Sequence, residues 1–167
     1  MTAPASVDVN TPSRIATLEA DETATILDRF DEHTAWELGT AIRERGLTHN
    51  APIMIDVRRP GGAIMFRSVL PGATANHEDW IRRKVATVAR FEESSALVGA
   101  RLEADGHEPD TIPWLPTRDY ALAGGGFPLR VAGAGMVAIA SVSGLSAEED
   151  HQLIVDALCE LTRPTAA

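Results

Sequence analysis

The chain is short of cysteine, of positive charge and of long apolar runs, and each shortage closes off a class of protein. Its single cysteine, Cys159, permits no internal disulfide and suits a reducing compartment. Cys159 falls within an apolar helical pattern, so it reads as core filler rather than as a reactive thiol. A net charge of −9 and a pI near 4.9 argue against nucleic acid, because phosphate binding needs a positive surface to release counterions. The same charge disfavours anionic lipid, although a local basic patch still suits a small anion. No apolar stretch is long enough to span a membrane. The first residues, "MTAPASVDVNTPS", have neither a basic start nor an apolar signal core. Residues 1–12 therefore read as a disordered tail, and the cytoplasm is the expected address. Catalytic signatures are missing as well: no H-E-x-x-H, no G-x-S-x-G elbow and no phosphate loop. His33, His49, His77 and His107 show no metal-ligand spacing.

What is present is an ordinary globular composition. Apolar residues make up 44% of the 167, enough for one domain over 13–167 that buries roughly 70% of its unfolded surface. "SRIATLEAD" predicts a short helix with Ser13 as cap, and "ATILDRF" a strand. Asp31 caps a helix whose apolar face is Ala35, Leu38, Gly39 and Ile42, with Gly46 at its end. Ile53–Val57 and Ala63–Leu70 flank a Pro-Gly-Gly turn and predict a hairpin. Asn76–Phe91 is helical with a stripe of Ile81, Val85, Val88 and Ala89, and a second helix runs from Ser94 to about Ala104. Residues 107–123 hold Pro109, Pro113 and Pro116 and read as a long loop. "GGGFPLRV" leads into a strand, and "MVAIASVS" is apolar on both faces, as for an inner strand covered on both sides. Ser146 and Glu149 form a capping box for a last helix with Ile154, Leu158 and Leu161 on its stripe. The order predicts an α+β domain with a sheet of about five strands flanked by helices.

Three stretches are rich in groups that carry chemistry. "NHEDWIRRK" puts Arg82, Arg83 and Lys84 after Trp80, with Arg83, Thr87 and Arg90 on one helical face. Arginine suits a carboxylate or phosphate, but Glu78, Asp79, Glu92 and Glu93 are equally near as local ion-pair partners. "GGGFP" (Gly124, Gly125, Gly126, Phe127) either lets a flat ligand or anion approach or forms a kinked, tightly packed strand opening. In "VSGLSAEEDH", Ser143 and Gly144 stand at the end of the inner strand. His151 extends the apolar stripe, where a core or subunit-contact role competes with that of a metal or haem ligand.

"GATANHEDWIRRK", "FEESSALVG", "AGGGFPLRV" and "SVSGLSAEEDH", in this order, resemble the haem-degrading, GlcG/HbpS-like family in its branch of small standalone proteins. The resemblance covers about residues 15–162. It departs at "GGGFP", where relatives often place a serine or alanine, and at Asn76-His77, where the family usually has an aspartate-asparagine pair. The resemblance implies profilin-like α/β/α layers around a five-stranded antiparallel sheet, and homo-oligomers. Some relatives bind haem, some degrade it with a reductant, and others partner protein-targeting factors. For this chain it points to Arg82, Arg83 and Lys84 as holders of propionates or another carboxylate, with Gly124–Phe127 as a platform. His151 is then the iron ligand, with His77 or Met136 as alternatives. A subunit interface would recruit the same types, with Trp80 as anchor and Arg83 and His151 at the contact. Three readings stay open: a haem-binding and haem-degrading protein, a homo-oligomeric scaffold or adaptor with a protein partner, and a binder of a small carboxylate.

Overall fold

The computed structural model describes residues 11–163. Its helices are α1 (Thr11–Ala24), α2 (Glu32–Thr48), α3 (Ala75–Phe91), α4 (Ser95–Ala104) and α5 (Ala147–Thr162). Its strands are β1 (Met54–Arg58), β2 (Ile64–Val69), β3 (Gly126–Val131) and β4 (Gly135–Ser143), and a 3-10 turn covers Pro109–Thr111. Of the tail expected at 1–12, residues 1–10 lie outside the described residues, while Thr11 and Pro12 open α1. The caps form where short polar side chains precede apolar stripes. Asp31 accepts the Thr34 N–H at 2.9 Å, and Ser146 and Glu149 satisfy each other's backbone N–H groups.

The four strands form one antiparallel sheet in the order β2-β1-β4-β3. Helices α2 and α5 cover one face, and α3 and α4 the other. The sheet corrects the expected five strands to four. The missing strand is "ATILDRF": α1 runs on to Ala24, and only Leu27 reaches the sheet, in a single parallel bridge to Val131. Leu27 is buried while Ile26 beside it is 41% exposed, so one residue, not a strand's length, has an apolar reason to pair.

The inner strand β4 is apolar on both sides because both are covered. Ala138, Ala140 and Val142 join Leu38, Ile42, Ile55, Phe127, Ile154 and Leu158 in the main core. A smaller cluster of Leu18, Ala96, Leu97 and Ala100 ties α1 to α4. On α3 the expected stripe is rotated. Ile81, Lys84, Thr87 and Val88 are buried and Ala89 is exposed. A lysine and a threonine thus stand on the inward face of the basic helix, and both are used there.

Candidate functional site

The outer side of α3 is occupied by the chain's own long connection. Arg82 donates to Asp79 at 2.9 Å and to the carbonyl of Arg118 at 2.7 Å. Arg83 donates to Asp79 at 2.8 Å and to the Thr117 carbonyl at 3.3 Å, and its guanidinium lies 4.0 Å from the centre of the Trp80 ring. Thr87 exchanges hydrogen bonds with both backbone groups of Ala121, and Arg90 donates to the Trp114 carbonyl at 3.0 Å. The face shared by Arg83, Thr87 and Arg90 is therefore a clasp on residues 114–121. Paired with two guanidinium groups, Asp79 is held below the ordinary carboxylate range, chiefly by its bond to Arg82.

The glycine run packs under two helices. Gly125 has φ +109, which only glycine adopts without strain. A Cβ there would lie 2.6 Å from Lys84 Nζ and closer still to the Val142 carbonyl. A Cβ on Gly124 would collide with the Ala147 carbonyl. Hydroxyls secure the run: Ser95 donates to the Ala123 carbonyl at 2.6 Å and accepts the Gly126 N–H at 3.0 Å, while Ser141 donates to the Gly125 carbonyl at 2.9 Å. Phe127 points into the main core.

Against this run lies a buried ion pair. Lys84 Nζ donates to Asp150 Oδ2 at 2.9 Å and to the Val142 carbonyl at 2.8 Å, and Asp150 Oδ1 accepts the Leu145 N–H at 3.1 Å. Both side chains are 3% exposed. Burial pushes Lys84 below the ordinary lysine range and Asp150 above the ordinary carboxylate range, and in each case the partner charge opposes the shift. Asp150 was not singled out by the sequence reading. The signal that could have marked the pair is Lys84 itself, the sole lysine among 15 basic residues.

Three clefts surround these groups. The small cleft, about 290 Å³, brings together Asn76, His77, Trp80, Lys84, Ser143, Gly144 and Asp150. His77 Nδ1 accepts the Thr74 N–H at 2.8 Å in the capping box of α3, so in the neutral ring Nε2 carries the proton. A second cleft, about 320 Å³ and walled by α1, Gly124 and α5, includes Asp21 and His151. There His151 Nε2 faces Asp21 Oδ2 at 3.2 Å, its buried Nδ1 has no partner among the described residues, and its ring meets Phe127 edge-on at 5.5 Å. His151 and His77 thus face different spaces. The largest cleft, about 670 Å³, is lined by Arg14, Trp80, Arg83, Leu115, Tyr120 and Leu122, and by His107, which the sequence reading set aside. Trp80 and Ala123 wall both this cleft and the small one. Arg82 contributes instead to a polar groove with Arg58, Arg67 and Glu78. Among the described residues no cluster of three His, Cys, Asp or Glu side chains forms a metal site, and no helix is long and apolar enough to cross a membrane.

An α+β domain with helices on both faces of a four-stranded antiparallel sheet defines the fold class, and comparison with known proteins narrows it. A family model described as haem-degrading protein HbpS-like matches residues 30–159. The chain belongs to this HbpS-like family. It is 42% identical over 148 residues to a UPF0303 protein of Acidobacterium capsulatum, covering 89% of each chain. Among solved structures it is similar to the Ybr137w protein, at 30% identity and a TM-score of 0.81 over 91% of both chains. A PduOC:haem complex matches at 15% identity and a TM-score of 0.66, covering 80% of this chain and 95% of that one, a likeness of fold alone.

Proposed function

We propose that this chain binds haem in the largest cleft, between α3, α4 and the clasped connection. The observation that carries the reading is the cleft itself, about 670 Å³ and walled by Trp80, Leu115, Tyr120 and Leu122, with the guanidinium groups of Arg14 and Arg83 on its lining. Sites for ligands of this size are mostly apolar with a few convergent polar groups. Arg14 and Arg83 suit propionates; the Arg14–Glu103 pair is exposed and exchanges at little cost, while Arg83 is only 14% exposed and shares its guanidinium with the half-exposed Asp79. His107 is the iron-ligand candidate within that cleft. His77 and His151 stay candidates from the two smaller ones. The family description and the haem complex of a fold neighbour support the same ligand. Bound iron with an external reductant supplies oxygen chemistry at the macrocycle, and this chain's residues would orient the ring and exclude water from its buried edge.

The test is a hemin titration of the purified protein in the Soret region, followed by ascorbate with catalase present. A saturable, one-to-one shift that His107→Ala weakens at least tenfold supports the reading, and loss of the band with ascorbate adds breakdown. A shift abolished by His151→Ala or His77→Ala instead moves the site to a smaller cleft. Non-saturating binding overturns it.

A second reading, assembly of identical subunits, rests on a different surface. Ile64 and Val69 on the edge strand β2 are 51% and 56% exposed, and Trp36 of α2, whose ring meets Phe66 of the same strand, is 61% exposed. Native mass spectrometry of Ile64→Lys reads it: an unchanged mass excludes this edge as the contact.

A further inference from the structure

Lys84 is placed as a chemical group and not only as a charge. The chain meets every other basic need with arginine and uses its one lysine on the inward face of α3, between Ile81 and Val88. Arginine stays charged in any surroundings, whereas lysine can become a neutral amine when buried. Two of the three ammonium positions are taken, by Asp150 and the Val142 carbonyl, and both Lys84 and Asp150 line the small cleft. Burial shifts the two groups toward their uncharged forms. Lining the same cleft, His77 offers an Nε2–H, because its Nδ1 is held by the Thr74 N–H, and Asn76 offers an amide. A nucleophilic nitrogen, a carboxyl group 2.9 Å away to move protons and a donor for a ligand oxygen are the parts an imine-forming site requires.

We propose that Lys84 forms a reversible imine with a small 2-oxo acid bound in this cleft. The neutral Nζ adds to the carbonyl carbon, forming the C–N bond, and the carbonyl oxygen takes a proton from the Asp150 carboxyl group. The nitrogen returns one proton to Asp150, which passes it to the departing hydroxyl as the nitrogen lone pair closes the C=N bond. The water therefore leaves with one proton from Asp150 and one from the amine, the second amine proton stays on the iminium nitrogen beside the Asp150 carboxylate, and no oxidant or reductant is consumed. His77 Nε2–H and Asn76 hold the carboxylate, at a cleft into which the first turns of α3 and α5 also open. A volume of about 290 Å³ suits a molecule of this size. The site is separate from haem bound in the largest cleft, with which it shares only the Trp80 and Ala123 wall.

The test is reductive trapping with pyruvate and cyanoborohydride, read by intact mass and peptide mapping. Because Lys84 is the only lysine, the α-amino group is the sole competing amine and serves as an internal control. The expected result is a saturable adduct on the Lys84 peptide, at least tenfold faster than on the α-amine, slowed tenfold or more by Asp150→Asn and weakened in apparent pyruvate affinity by His77→Ala. Lys84→Arg, which retains the charge, removes the adduct. Modification of the α-amine with Lys84 untouched in the wild-type protein overturns the proposal, whether or not the variants fold. A hemin titration run alongside is expected to be unaffected by pyruvate, so either reading can fail alone.

Discussion

Removing one member of the Lys84–Asp150 pair is the perturbation whose size the structure fixes best. Lys84→Met strands the Asp150 carboxylate in a site 3% exposed, with backbone N–H groups of Leu145 and Gly144 as its remaining donors, and takes the ammonium partner from the Val142 carbonyl. Asp150→Leu leaves the ammonium beside one carbonyl. Breaking a buried pair in this way costs about 3–5 kcal/mol, mostly as the price of an uncompensated charge. For a domain of this length each kcal/mol lowers Tm by about 2–4 °C, so each single variant is expected to melt roughly 6–20 °C below the wild type. The double variant Lys84→Met/Asp150→Leu buries no charge at all. It leaves those backbone groups short of a partner, at about 1–3 kcal/mol each, but regains the desolvation of both ions. It should therefore be no less stable than either single variant, where simple addition gives about 6–10 kcal/mol. Urea unfolding followed by tryptophan fluorescence, with all four proteins at one pH, measures this coupling. Additive losses would show that the two groups are stabilised separately and that the ion pair is not the unit joining α3, β4 and α5.

The clasp on the long connection predicts that Thr87→Val, which takes the hydroxyl donor from the Ala121 carbonyl and leaves the Ala121 N–H only the Arg83 carbonyl, costs about 1–3 kcal/mol. It should also speed proteolysis within 107–123, and unchanged digestion would refute the clasp. Gly125→Ala forces a side chain onto φ +109, which costs about 1–3 kcal/mol before its collision with the Val142 carbonyl is counted. A wild-type Tm for this variant would mean the run is not packed as described. Asp31, Asp79 and Glu149 are all held below their ordinary values of 3.8, 3.8 and 4.5, the first and last chiefly by cap hydrogen bonds to Thr34 and Ser146. In the native state they bind fewer protons than in the unfolded chain, so the stability they give is present above the ordinary carboxylate range and is lost as pH falls through it. Urea midpoints should decline on acidification, and less steeply in Arg82→Ala/Arg83→Ala, where Asp79 loses both partners. An equal slope would put the acid sensitivity elsewhere.

How far the sequence could be read depended on whether the deciding contact was local. The caps at Asp31 and Ser146, the hairpin around Pro60-Gly61-Gly62 and the inner position of "MVAIASVS" all follow from neighbours within a few residues or from one strand's own pattern. The fifth strand failed because apolar character at Ile26 and Leu27 says nothing of which residue finds a partner. That was decided by Arg130 and Val131, about a hundred positions away. The α3 stripe was misread for a related reason. Lys84 and Thr87 are polar by type, and only their partners at Val142, Asp150 and Ala121 make burial affordable. Asp21 opposite His151, and His107 on the wall of the largest cleft, are likewise placed by chain segments that no spacing rule connects.

The basic run at Arg82-Arg83-Lys84 shows why charge alone is a poor guide to a ligand. Arg82, Arg83 and Arg90 donate to carbonyls of Arg118, Thr117 and Trp114, so part of their capacity is spent on holding a proline-bearing segment that would otherwise lose its backbone partners. For Arg82 and Arg90, which do not line the largest cleft, the effect on a ligand there is then indirect, since they fix the wall on which Leu115, Tyr120 and Leu122 stand, whereas Arg83 also lines it. A substitution at Arg90, which lines none of the clefts described, separates the two effects. If Arg90→Ala weakens hemin binding while Arg14→Ala does not, the cleft is set by the clasp and not by attraction to the propionates. The reverse order would mean that the guanidinium groups act on the ligand directly and that the loop needs no help from Arg90 to hold its shape.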